Sequence, residues 1–117
     1  MIDSKSGRLS RLEYHVLLTL SDGPLYGYAI SRAVEEESDG ALTPRAGSLY
    51  RVFARLINWG LAEDATTKAA HEPHPGLARK YYALTPFGVE TVRLEAQRMR
   101  AAAALAERRL GLADEGA

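Results

Sequence analysis

Apolar positions fall at helical spacing in four stretches of the chain and shorten to strand-like groups between the third and the fourth. The first stretch begins at Ser10, where Ser10-Arg11-Leu12-Glu13 has the form of a capping box: the serine hydroxyl accepts from the backbone N–H three residues on, and Glu13 reaches back. Leu12, Val16, Leu17 and Leu20 then share one face, and Ser21-Asp22-Gly23-Pro24 stops the run. The spacing predicts a first helix of about ten residues. Leu25-Tyr26-Gly27-Tyr28 leads into a second, with Ile30, Ala33 and Val34 on one side and Glu35-Glu36-Glu37-Ser38-Asp39-Gly40 closing it. Thr43-Pro44 predicts the start of a third, Thr43 as N-cap and Pro44 at the first helical position, where its missing N–H is not needed. Leu49, Phe53, Leu56 and Ile57 give that helix its apolar stripe, and Gly60 after Trp59 suits a left-handed C-terminal cap.

Beyond Gly60 the segments are short. Leu61 to Thr67 and Arg79 to Leu84 read as two strands flanking the tip His71-Glu72-Pro73-His74-Pro75-Gly76. Trp59 reads as a packing residue between the third helix and this hairpin. Thr85-Pro86 repeats the Thr43-Pro44 device and opens the longest helix of the chain, without further proline to about Leu110. The fold class expected is α+β, mostly α with a small β-hairpin. Residues 1–9 form a flexible arm, 10–85 a winged helix-turn-helix domain, 86–110 a C-terminal dimerisation helix and 111–117 a frayed tail. Three short helices followed by a hairpin is the winged form of the DNA-binding motif, whose third helix enters the major groove while the hairpin touches the backbone beside it.

Composition narrows the classes. With 117 residues, 46% hydrophobic and 26% charged, the chain suits one packed domain rather than disorder. It has no cysteine, which excludes a disulfide scaffold, a zinc-thiolate site and a thiol nucleophile. Met1 to Arg8 has no apolar run, and no stretch reaches the roughly 18 apolar residues of a membrane span, so a cytoplasmic protein without a membrane partner is expected.

Fifteen basic residues balance fifteen acidic ones, and a net charge of zero argues at first against a nucleic-acid partner. The charges are segregated, however. From Gly40 to Ala62 there is no acidic residue, while Arg45, Arg51 and Arg55 are basic, and from Pro73 to Val89 the only charges are Arg79 and Lys80. With the apolar stripe inward, Gly47, Tyr50, Arg51, Ala54, Arg55 and Asn58 lie on the opposite face and Ser48 at its edge. Arg51 has the fork that reads guanine O6 and N7, Ser48 and Tyr50 can donate to phosphate or base edges, and Arg45 and Arg55 suit phosphates. Tyr28, at the start of the second helix, joins this DNA-facing set, as do Arg79 and Lys80 on the second strand. Double-stranded DNA with a palindromic site is the partner expected, and a winged-helix protein-interaction module without DNA binding is the alternative.

Three motifs carry a resemblance. They are Gly23-Pro24-Leu25-Tyr26-Gly27-Tyr28-Ala29-Ile30, then Gly47-Ser48-Leu49-Tyr50 with Leu56-Ile57-Asn58-Trp59-Gly60-Leu61, and finally Arg79-Lys80-Tyr81-Tyr82-Ala83-Leu84-Thr85-Pro86-Phe87-Gly88. From about Leu12 to Leu110 the chain resembles the PadR family of transcriptional regulators, with Tyr26 where that family often has histidine. The resemblance implies a dimeric winged-helix repressor of the shorter type, with a single C-terminal helix. It also implies a small apolar or aromatic effector.

The last helix supports the dimer independently. Val89, Val92, Ala96, Met99, Ala103, Ala106 and Leu110 alternate spacings of three and four, a coiled-coil seam, and Leu94, Ala101 and Leu105 add a second stripe. Thr91 to Leu110 contains no aromatic residue, so a ligand sandwiched between rings is not expected there; a cavity lined by Met99 and a closed seam both stay open. No cofactor and no metal are expected. His71-Glu72-Pro73-His74 lacks the His-Glu-x-x-His spacing of a zinc helix, and His15 reads as a packed surface histidine. No acid–base pair, phosphate loop or nucleophile–base set appears, so no catalytic residue is expected.

Overall fold

The capping box at Ser10 forms as its sequence predicts. In the computed structural model, which describes residues 8–66 and 80–112, Ser10 Oγ accepts from the Glu13 N–H at 3.1 Å and Glu13 Oε1 accepts from the Ser10 N–H at 2.8 Å. Helix α1, Arg11–Thr19, tightens into a 3-10 turn at Leu20–Asp22 and breaks at Gly23, whose φ of +140° lies where a side chain is rarely accepted. Leu25–Tyr26 then forms strand β1 and Gly27–Glu37 helix α2, whose last turn holds the three glutamates.

Helix α3 is Ala46–Asn58, with Arg45 in the N-cap position. The cap expected at Thr43 is displaced for a tertiary reason. The first helical bond runs from the Leu49 N–H to the Arg45 carbonyl, whereas the Pro44 carbonyl accepts from the Ser31 hydroxyl of α2 at 3.2 Å. The buried stripe of α3 is Leu49, Val52, Phe53 and Leu56; Ile57 has turned to the edge at 38% exposure. Gly60, at φ +79°, supplies the left-handed turn after α3, with the Gly60 N–H on the Ile57 carbonyl and the Leu61 N–H on the Leu56 carbonyl. Trp59 is half-buried against the core.

The sheet has one strand more than the expected hairpin. Strand β2 is Ala62–Asp64 and β3 is Tyr81–Leu84, and β3 lies in the middle, antiparallel to both β2 and β1, with Leu25 opposite Tyr82 and Tyr26 opposite Tyr81. Two residues are too few for an alternating pattern, so β1 is invisible until its partner is placed. The core gathers Val16, Leu17, Leu20, Ile30, Val34, Leu49, Phe53, Leu56, Leu61 and Tyr82, with Phe53 and Tyr82 stacked at 4.1 Å.

Thr85 joins this domain to helix α4, Pro86–Leu110. Its hydroxyl accepts from the Gly88 N–H at 2.9 Å and donates to the Gly60 carbonyl at 2.6 Å, so one residue both caps α4 and ties it to the end of α3. Thr91 and Glu95 bury one side of α4, whose first half packs on α1. From Gln97 to Leu110 every residue except the half-buried Ala104 is exposed, and the helix projects to give an envelope of 56 × 30 × 23 Å. Most of the expected arm and tail, 1–7 and 113–117, and the hairpin tip lie outside the described residues.

Candidate nucleic-acid interface

The outward face of α3 follows from its burial. Gly47, Tyr50, Arg51, Ala54 and Asn58 are exposed, Ser48 is half-buried, and Tyr50 stands 70% exposed. Arg45 and Arg51 are exposed and form no ion pair with any described residue. Arg55 differs. Its Nε donates to the buried Glu13 at 3.0 Å, so its head group is held towards α1.

Tyr28 begins α2 beside this face and is 65% exposed. Arg32 Nη1 donates to the Tyr28 hydroxyl at 3.4 Å, and its guanidinium lies 5.9 Å from the ring centre. Sequence reasoning passed over Arg32, although its position one turn after Tyr28 was the available signal.

Lys80 precedes β3, with its Nζ 3.8 Å from Asp64 Oδ2 and both groups about half exposed. The Thr66 side chain first and then its N–H, which donates to Asp64 at 2.8 Å, hold the Asp64 carboxyl below its ordinary range, with Lys80 adding a smaller effect. Arg79, His71 and His74 lie outside the described residues.

Between the first turns of α2 and α3 and strand β3 lies a groove of about 430 Å³ lined by Tyr26, Tyr28, Tyr50, Phe53, Tyr82 and Lys80. It was missed because its rings come from four separate segments. Tyr26 and Tyr81 meet edge to face at its margin.

On α4, Val89, Met99 and Leu110 of the expected seam are exposed at 53%, 41% and 69%, as are Ala103 and Ala106, while Val92 and Ala96 are half-buried and Val92 packs against the core. Among the described residues, no group of three or more His, Asp or Glu could hold a metal ion, and no helix is long and apolar enough to cross a membrane.

Residues 16–94 match the family model of the transcriptional regulator PadR-like family. In fold, the chain is similar to a PadR family transcription regulator from Clostridium difficile R20291, with a TM-score of 0.71 and 21% identity over 86% of this chain and 99% of that one. It is also similar to Bacillus subtilis PadR in complex with operator DNA, with a TM-score of 0.61 and 25% identity over 72% of this chain and 45% of that one. In sequence it is 40% identical over 84 residues to an uncharacterized 37.1 kDa protein in transposon TN4556 of Streptomyces fradiae. That match takes in 72% of this chain and 21% of the transposon protein, so the chain spans about a fifth of that relative's length.

Proposed function

Because this chain belongs to the PadR-like family of transcriptional regulators, we propose that it binds operator DNA sequence-specifically as a homodimer and acts as a cytoplasmic repressor released by a small-molecule effector. The observation that carries the reading is the exposed face of α3. It presents Tyr50, Arg51 and Asn58 for base edges or phosphate, with Arg45 at its N-terminus, in a stretch from Gly40 to Ala62 without a carboxylate. Lys80 and the adjacent Arg79 add cationic contacts at the wing, and Tyr28 and Arg32 a further polar contact from α2. That Bacillus subtilis PadR is a complex with operator DNA supports the same partner here.

Dimerisation serves the reading because two recognition helices about one DNA turn apart read a palindromic site. With zero net charge the long-range field is weak, so affinity depends on paired, correctly spaced contacts. Selection of genomic fragments by the purified chain tests the proposal: fragments sharing an inverted repeat are expected. Failure to enrich any DNA, at low and at moderate salt, sinks it and favours a protein-interaction module.

A further inference from the structure

We propose that Ser31 is a positioning residue for sequence readout: its bond to the Pro44 carbonyl selects where α3 begins. This role rests on the DNA reading above. The chain carries one helix-start signal twice, with opposite results. Thr85-Pro86 caps α4, the threonine hydroxyl accepting from the Gly88 N–H at 2.9 Å with Pro86 as the first helical residue. Thr43-Pro44 offers α3 the same device, yet α3 starts at Ala46. Its N-cap position is held by Arg45 in extended backbone (φ −97°, ψ 161°), and no side chain caps it. The Thr-Pro pair itself does not account for the difference. What acts on Thr43-Pro44 is tertiary, the Ser31 hydroxyl of α2 donating to the Pro44 carbonyl at 3.2 Å.

The two starts compete for that carbonyl. With Thr43 as N-cap, the Gly47 N–H would bond the Thr43 carbonyl and the Ser48 N–H the Pro44 carbonyl, both along the axis of α3. The Ser31 hydroxyl draws the Pro44 carbonyl towards α2 instead, and the first helical bond runs from the Leu49 N–H to the Arg45 carbonyl. Ser31 is also an unusual choice for its place. A serine inside a helix ordinarily weakens it or bonds back to a carbonyl one turn earlier. This one, half-buried in the second turn of α2, directs its hydroxyl to the segment that opens the next helix.

The end of α3 that Ser31 sets is the end that matters for reading, because recognition helices contact base edges with their N-terminal residues. A start at Pro44 would add about 3 Å of helix, with the proline ring, ahead of Gly47, Ser48 and Arg51. It would also turn Arg45, now exposed and extended, into a residue of the first helical turn and re-aim its side chain. Ser31 touches no base in this arrangement and acts through the start of α3.

The test joins backbone NMR of the isotope-labelled full chain to anisotropy titrations with the duplex selected from genomic fragments. Alanine is the stronger helix former, so Ser31→Ala keeps α2. In that variant the Cα shifts of Pro44 and Arg45 are expected to turn helical. Its affinity for the selected site should fall about fivefold, the size of one capping bond, and its affinity for a random duplex by less than about twofold. Ser31→Thr, which keeps the hydroxyl, should retain extended shifts at Pro44 and Arg45 and the native affinity. Adding Thr43→Ala to Ser31→Ala removes the competing cap, and should recover the extended shifts and most of the lost affinity. Native shifts and affinity in Ser31→Ala, or helical shifts with native affinity, overturn the proposal. Lost affinity with Pro44 and Arg45 still extended makes Ser31 a DNA contact and overturns it too, as does a double variant that recovers nothing. If the native chain binds no duplex, the DNA reading fails, while the shifts still decide whether Ser31 selects the start of α3.

Discussion

Arg55 Nε donates to Glu13 Oε2 at 3.0 Å, while the other oxygen of the same carboxylate accepts from the Ser10 N–H. One buried side chain therefore closes the N-terminus of α1 and fixes α3 against it. This bond explains why an arginine suited by sequence to phosphate has its head group engaged inside the fold. Orientation of the proposed recognition helix thus depends on a residue of the first helix.

Replacing Arg55 by alanine leaves Glu13 Oε2 buried without its donor. The expected loss is about 1–3 kcal/mol of unfolding free energy, less than for a fully buried pair because the guanidinium side chain is 44% exposed. Urea denaturation measures it. The salt dependence of DNA binding should be unchanged; a slope lowered by about one with stability unchanged would instead place Arg55 on a phosphate.

The elements whose signals are local were legible in the sequence. Ser10 with Glu13, Gly60 after Trp59, and Thr85-Pro86 are cap signatures in which each bond spans only a few residues, and all three form. The start of α3 was not legible, because Thr43-Pro44 lost its capping role to the Ser31–Pro44 contact between elements. Val52 replaced Ile57 in the core because a stripe at intervals of three and four admits more than one choice of edge. Strand β1, the Glu13–Arg55 pair and the aromatic groove depend on residues far apart in sequence, and periodicity carries no information about them.

Gly88 sits where α4 leaves the sheet, and a Cβ there would lie 2.0 Å from the Leu61 carbonyl oxygen. Leu61 is fully buried and its carbonyl accepts the Thr85 N–H, so the backbone has little room to yield. Gly88→Ala gains about 1 kcal/mol of helix propensity yet should destabilise by about 1–3 kcal/mol net, since the clash is with backbone. Thermal unfolding of the variant checks this; an unchanged midpoint contradicts the packing of α4 on Leu61.

Tyr82 makes stability fall at high pH. Its phenol is raised in the folded chain, first by burial, so the folded state holds the proton more tightly than the unfolded one. The contribution is fully present below the ordinary tyrosine value near 10 and is lost as pH rises through the folded value. Urea midpoints should therefore drop above about pH 10 in the native chain. Tyr82→Phe should flatten that drop; an identical alkaline profile refutes the assignment.

Arg51 and Lys80 are expected to fail differently. Arg51→Ala should cost about 1–3 kcal/mol on the selected site and relax base preference at one position, because a bidentate fork reads one guanine. Lys80→Ala should weaken all duplexes alike and lower the salt slope by about one. Anisotropy titrations at several salt concentrations separate the two, and a uniform loss for both would move Arg51 to the backbone.

The outer half of α4 predicts its own partner. Met99 and Leu110 are exposed at 41% and 69% on a helix that leaves its domain after Ala96, and isolated helical segments of this length are marginal in water. Pairing with α4 of a second copy would cover that seam, with Ala103 and Ala106 allowing close approach. Light scattering should give twice the chain mass at micromolar concentration. Met99→Glu places a charge in the seam and should yield monomers that lose helicity and bind a two-half-site duplex at least about tenfold more weakly, with single-half-site binding little changed. A monomeric native chain at that concentration would remove the dimer from the proposed function.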